Sequence, residues 1–199
     1  MQVAFSEAAE RNKRSILEKL RTLLASSKSV LEIGSGTGQH AVYFAPALPQ
    51  LVWQPSELPD KLDLLLNQCL QHPSENLARP IALDIDNGNW ATAQVDAVFT
   101  ANTLHIIHWP QVCRLFNQIS TLLPSNGIFC TYGPFNVDGR YTSKSNAQFD
   151  SWLKGRDYRS GIRDIGDLQY QAEQCDLRLQ ENYAMPANNR LLVWRKLND

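Results

Sequence analysis

The chain has 199 residues, room for one domain with a continuous core. Its 43% hydrophobic and 20% charged content suits a globular fold, and a formal net charge of −1 offers no general attraction to nucleic acid or anionic lipid. The opening MQVAFSEAAERNKRSIL holds no apolar h-region and no run approaches a membrane span, so a cytoplasmic protein with no nucleic-acid or membrane partner is expected. Cys69, Cys113, Cys130 and Cys175 are scattered without a CxxC pair and read as reduced, small hydrophobes.

A first helix is predicted from about Glu7 to Ala25, capped by Ser6, with Ile16, Leu17, Leu20, Leu23 and Leu24 on one face. Glu10, Arg14 and Glu18 are spaced for i,i+4 pairing on another face. A strand from Ser29 to Ile33 runs into the glycine loop, and a short helix follows from about Gln39 to Ala45. Leu51 to Gln54 is the next strand, ended by Pro55; Pro59 opens a helix burying Leu62, Leu65, Leu66, Cys69 and Leu70. Ile81 to Leu83 delivers Asp84, and Val95 to Ala101 is a central strand. A helix carrying Val112, Leu115, Phe116, Ile119 and Leu122 turns at PSNG into the strand IFCTY. Past Gly133 the pattern weakens around one helix bearing Phe149, Trp152 and Leu153, and another helix starts near Asp164. Strands from about Leu177 to Tyr183 and Arg190 to Arg195 follow, joined by MPANN.

Strand–helix alternation with long crossovers implies an α/β fold, a parallel sheet covered on both faces. The connection before the final strand is too short for a crossover, which makes that strand antiparallel. Ligands of such sheets sit beyond the C-terminal strand edge, near a topological switch point. The glycine loop after the first strand is the natural candidate.

That loop, VLEIGSGTGQH, spaces its glycines as G-x-G-x-G; the dinucleotide pattern G-x-G-x-x-G would put a glycine where Gln39 stands. Three glycines exceed the need of one tight turn and suggest a ligand lying against the backbone. The carboxylate of Glu32 would repel a pyrophosphate and attract the ammonium and sulfonium of S-adenosylmethionine. Glu57, after the second strand, suits two ribose hydroxyls. Asp84, after the third, suits an adenine amino group, with the backbone at Ile85 against the ring edge.

E-x-G-x-G-x-G resembles motif I of the class I S-adenosylmethionine-dependent methyltransferases. The resemblance covers nearly the whole chain and implies their Rossmann-like sandwich, a mostly parallel seven-stranded sheet with an antiparallel last strand, as one domain over 1–199. FSEAAERNK, LEIGSGTGQHAVYFA, WQPSE, YGPFN, SNAQFD, GIRD and PANNRLLVWR are more narrowly similar to the methyltransferase-like protein 26 family. By position, the resemblance makes Glu32, Gly34, Gly36, Gly38, Glu57 and Asp84 cofactor contacts and puts Asn102 under the sulfonium. Glu57 stands where the narrower family more often has Asp. The helix bearing Arg11 and Asn12 (within 1–28) would cap the cofactor pocket.

Methyl transfer from a sulfonium is an in-line displacement, so the protein mainly aligns the acceptor and removes its proton. TANTLHIIHWP lacks the N-P-P-Y type tetrapeptide of enzymes that methylate nucleic-acid or glutamine amines, which favours a small-molecule substrate. His105 is a candidate base or a hydrogen-bonding structural histidine; His108, beside Trp109, reads as structural. No cysteine or third histidine lies near, so no metal site is expected. Gly133-Pro134 would aim Tyr132, the second catalytic candidate, and Phe135 at the pocket mouth. The segment 133–163 is long enough for a lid, with Tyr141, Ser145, Asn146, Asp150 and Arg163 as polar candidates. Asn188 and Asn189 read as turn formers, with a reach to the substrate as the alternative. Two other readings stand beside the enzyme: a cofactor-binding interaction module without catalysis, and a nicotinamide-dependent oxidoreductase, which Gln39 and Glu32 disfavour.

Overall fold

Ser6 caps the first helix by accepting from the amide of Ala9, and α1 (Glu7–Leu23) follows. The computed structural model describes residues 5–87, 90 and 94–198. Two compact units divide it, Met1–Thr100 and Ala101–Asp199. Helix α1 buries Ile16, Leu17 and Leu20, whereas Leu23 is only half-buried. Arg14 pairs with Glu18, but Glu10 turns to Lys13 instead of Arg14.

In the first unit β1 (Ser29–Ile33) leads through the loop to α2 (Gln39–Ala47), then β2 (Val52–Glu57) and α3 (Leu62–Gln71), which a 3-10 turn, Pro59–Lys61, precedes. β3 is Ile81–Ala82 and β4 is Ala97–Ala101. β1 is central, paired in parallel with β2 and β4. β2 does not stop at Pro55 as expected. Trp53 and Glu57 bond toward segment 76–83, so Pro55 turns the same way, into the gap between Leu77 and β3, where no N–H is needed. Of the helix face expected to be buried, Leu65 and Cys69 are buried while Leu70 is 68% exposed.

The second unit holds α4 (Trp109–Leu122), β5 (Ile128–Gly133), β6 (Phe135–Asn136) and α5 (Lys144–Arg156). It continues with β7 (Arg163–Asp164), α6 (Ile165–Glu173), β8 (Leu177–Met185) and β9 (Asn189–Lys196). Gln111 accepts from the amide of His108 to start α4, and Ser143 and Asp164 cap α5 and α6. β9 is antiparallel to both β5 and β8 and lies between them. In the turn before β9 the left-handed residues are Ala187 and Asn188; Asn189 is already extended. Among the described residues the strand order is β3-β2-β1-β4-β5-β9-β8: a mostly parallel seven-stranded sheet whose last strand is antiparallel. Strands β6 and β7 form a separate pair.

Candidate functional site

The loop after β1 is built from alternating left-handed turns. Gly34, Gly36 and Gly38 have φ of 68°, 55° and 76°, a region that costs other residues about 1–2 kcal/mol. Backbone conformation alone therefore favours glycine at all three positions, so a ligand lying against the loop is not needed to account for them. Their surroundings still differ. A Cβ on Gly38 would meet Leu65 Cδ1 at 2.9 Å and Gln68 Cγ at 3.1 Å, so α3 fills that space. A Cβ on Gly36 would meet nothing within 4 Å.

Side chains at the end of β2 hold the loop. The Gly36 amide donates to Glu57 Oε2 at 2.7 Å, and Glu57 Oε1 accepts from Leu58 at 2.9 Å. Ser35 and Ser56 are tied both ways, Ser35 N–H to Ser56 carbonyl at 2.9 Å and Ser56 N–H to Ser35 Oγ at 3.2 Å. Gln39, where the dinucleotide pattern has glycine, accepts from Ser6 N–H and Thr37 Oγ1 and donates to Glu10, fastening the start of α1 to the loop. A side chain at this position thus has its own structural work. Sequence reading missed the structural roles of Ser35, Gln39, His40, Trp53 and Ser56, which depend on partners in other segments; Gln39 was noted only as the residue standing where the dinucleotide pattern has glycine.

Glu32 is 2% exposed and accepts from the Trp53 indole at 2.9 Å. Burial raises its pKa to about 7, against hydrogen bonds from Trp53 and Ser35 that lower it. His40 Nδ1 lies 4.0 Å from Glu32, and His40 Nε2 is 2.7 Å from Asn12 Oδ1. Burial lowers the His40 pKa to about 4. Glu32, Trp53, His40 and Asn12 therefore form one buried polar chain beneath the loop. Asn12 is 8% exposed within it, whereas Arg11 lies on the solvent face, paired with Glu7 at 2.9 Å. Asp84 follows β3 and folds back on itself, Oδ1 accepting from Asp86 N–H at 2.9 Å; the Ile85 side chain is buried beside it.

In the second unit Asn102 is left-handed at φ 59° and donates its N–H to the Tyr132 carbonyl at 2.8 Å. Asn102 Oδ1 and His105 Nδ1 both lie 3.6 Å from where a Gly133 Cβ would stand, so three of the expected elements meet there. Tyr132 and Phe135 are buried, at 4% and 2% exposure, rather than presented at a mouth. His105 is 4% exposed, its ring edge-on to Phe149 at 5.2 Å, and burial with the nearby Arg163 charge lowers its pKa to about 4. His108 pairs with Asp157 at 2.8 Å. Asp150 accepts from Tyr141 at 2.7 Å, Lys154 at 2.6 Å and the Ile162 amide at 2.7 Å. Asn146 donates to the Asn188 carbonyl at 3.0 Å, which joins the SNAQFD and PANN blocks.

Residues 3–196 match the protein family described as "Protein of unknown function (DUF938)". The chain belongs to this family. Among solved structures, an O-methyltransferase family protein from Burkholderia thailandensis superposes with a TM-score of 0.79 at 16% identity, over 96% of this chain and 58% of that one. The S-adenosylmethionine-dependent methyltransferase SibL, in its apo form, gives 0.79 at 20% identity over 96% and 56%. Human N-acetylserotonin methyltransferase, in complex with S-adenosylmethionine, gives 0.79 at 16% over 96% and 53%. This family member spans little more than half the length of these proteins. At such identities the likeness is one of fold, that of the Rossmann-like methyltransferases.

Proposed function

We propose that the chain binds S-adenosylmethionine at the loop after β1 and serves methyl transfer to a small-molecule acceptor. The observation that carries this reading is Gly36, left-handed, fixed through its amide by Glu57, with open space where a side chain would begin. An adenosine-bearing ligand fits a backbone so exposed. Solved structures of similar fold, one of them a complex with S-adenosylmethionine, favour the same ligand. The reading treats 1–199 as one methyltransferase-like domain and includes the narrower resemblance to the methyltransferase-like protein 26 family.

Each Glu57 oxygen has a lone pair beyond its backbone bond, so ribose hydroxyls can donate to both without displacing the loop. Asp84 with the Ile85 backbone would take the adenine edge, Gly34 and Gly36 the chain between, and Asn102 the sulfonium end. Glu32 would act through Trp53 and His40, and Asn12 through His40. When bound, the cofactor supplies a methyl group already activated by positive charge.

A buried His105 with a pKa near 4 is neutral at pH 7 and a weak base. Its better use is to accept a hydrogen bond and orient the acceptor, with Tyr132 behind it. Orientation is worth about 7–11 kcal/mol in favourable cases.

Calorimetric titration with S-adenosylmethionine, its demethylated product and reduced nicotinamide cofactors tests the reading on wild type, Glu57→Gln and Glu57→Ala. Micromolar binding of the first two, weakened at least ~10-fold by either substitution, is expected. Binding of a nicotinamide alone would end the proposal.

A further inference from the structure

Resting on the methyl-transfer reading, we propose that Arg163 is a positioning residue, the centre of a strap that sets the loop carrying His105. The four consecutive backbone carbonyls from Leu104 to Ile107 are all taken by donors from residues 160–163. Arg163 Nε donates to Leu104 at 2.9 Å and its Nη2 to Ile107 at 2.5 Å. Between them the Gly161 amide donates to His105 at 2.9 Å and Ser160 Oγ to Ile106 at 2.7 Å. Nη2 also reaches the Arg159 carbonyl at 3.2 Å, so the guanidinium braces its own strap as well. The His108–Asp157 pair adds a contact at the residue after Ile107, from three positions before Ser160.

Only a guanidinium presents donors in a rigid fork that can span two carbonyls three residues apart; a lysine offers one compact charge. Gly161 is equally constrained: its φ is 152°, and a Cβ there would stand 2.9 Å from Asp150 Oδ1. Asp150 in turn holds the Ile162 amide, so the strap is pinned from behind. Arg163 also borders a cavity of about 660 Å³ with Trp109, Asn136, Ile162, Asp167 and Tyr170. The residue that fixes the loop therefore also borders that cavity.

The strap determines where His105 sits, because both the carbonyl of that residue and those flanking it are clamped. Releasing the fork lets the loop open and lets water reach the imidazole. The experiment compares wild type with Arg163→Lys, which keeps the charge and loses the fork, and with the milder Ser160→Ala. Amide exchange at Ile106 and Ile107 and the NMR titration of the His105 ring are followed in each. Expected are exchange at least ~10-fold faster at those amides in Arg163→Lys and a His105 midpoint about one pH unit higher or more. Ser160→Ala should move both in the same direction by less. Formation of demethylated product from S-adenosylmethionine with a small-molecule cell extract should fall about 10-fold or more in Arg163→Lys, while its dissociation constant changes less than about twofold.

A His105 titration and loop exchange unchanged in Arg163→Lys would overturn the positioning role, whatever the protein binds. Wild type that binds no S-adenosylmethionine would overturn the methyl-transfer reading, and with it any catalytic sense of the strap.

Discussion

Two loops follow central strands in this protein and are braced in opposite senses. After β1, acids and hydroxyls accept from backbone amides: Glu57 takes Gly36 and Leu58, and Ser35 takes Ser56. After β4, a guanidinium, a hydroxyl and an amide donate to four consecutive carbonyls. The first loop is held by side chains 21 positions away and by glycines whose φ it needs. The second is held by residues more than fifty positions away. One rests on its own glycines and on a neighbouring strand, the other on an agreement between two segments more than fifty positions apart, and they should fail differently.

The sharpest separation comes from the glycines. Gly38→Ala forces both a left-handed alanine and a collision with Leu65, so about 3 kcal/mol of stability should be lost in denaturant unfolding. Gly36→Ala meets no neighbour and should lose only about 1–2 kcal/mol, yet it should impair ligand titration more than Gly38→Ala does. If the ranking of the two in binding were reversed, the open space at Gly36 would not be where a ligand lies.

Acid should separate the regions next. A histidine whose folded pKa is depressed to about 4 leaves the unfolded chain binding more protons below 6.5. Its stability contribution is full above that pH and lost as pH falls toward 4, by about 3 kcal/mol for each buried ring. Glu32, raised to about 7, has the opposite sign: its contribution is full below its ordinary value and is lost as pH rises through 7. Around the first loop His40 and Glu32 therefore offset each other, while His105 has no such counterpart described beside it. His105→Gln and His40→Gln should each flatten acid unfolding between pH 6.5 and 4 by about the same amount, read as denaturation midpoints across that range, and His40→Gln should leave the opposite slope of Glu32 uncompensated.

A comparable effect is expected at the strap. Gly161→Ala should cost about 3 kcal/mol, since it adds a strained positive φ to a collision that forces the Asp150 carboxylate to shift within its three hydrogen bonds. Smallest of all is Arg11→Ala, which removes an exposed ion pair and should change neither stability nor ligand affinity measurably. A clear loss of affinity would restore Arg11 to the pocket.

The same contrast explains what the sequence revealed. Strand and helix order, the Ser6 cap and the antiparallel final strand were legible because periodicity, capping chemistry and connection length are local quantities. Pro55 misled because its tolerance depends on what its missing N–H would face, and that is the gap between Leu77 and β3. Glu32 read as an acid aimed at a ligand; its indole partner arrives from Trp53, one strand over, at a distance in sequence that no spacing rule covers. Arg163 read as one polar candidate among five, because nothing near it in the chain announces the carbonyls of Leu104 and Ile107. His105 became a candidate by its place after a strand, whereas its burial, and so its weakness as a base, was not legible.

The insertion of β9 between β5 and β8 bears on how this half of the molecule is made. β5 and β8 have no partner in each other; both ladders of that sheet edge run through β9. A ribosome that has released everything up to Met185 has delivered two strands with open edges and no means of closing them. The sheet of the second unit cannot close before Lys196, and until then the edges of β5 and β8 that face β9 stay unpaired.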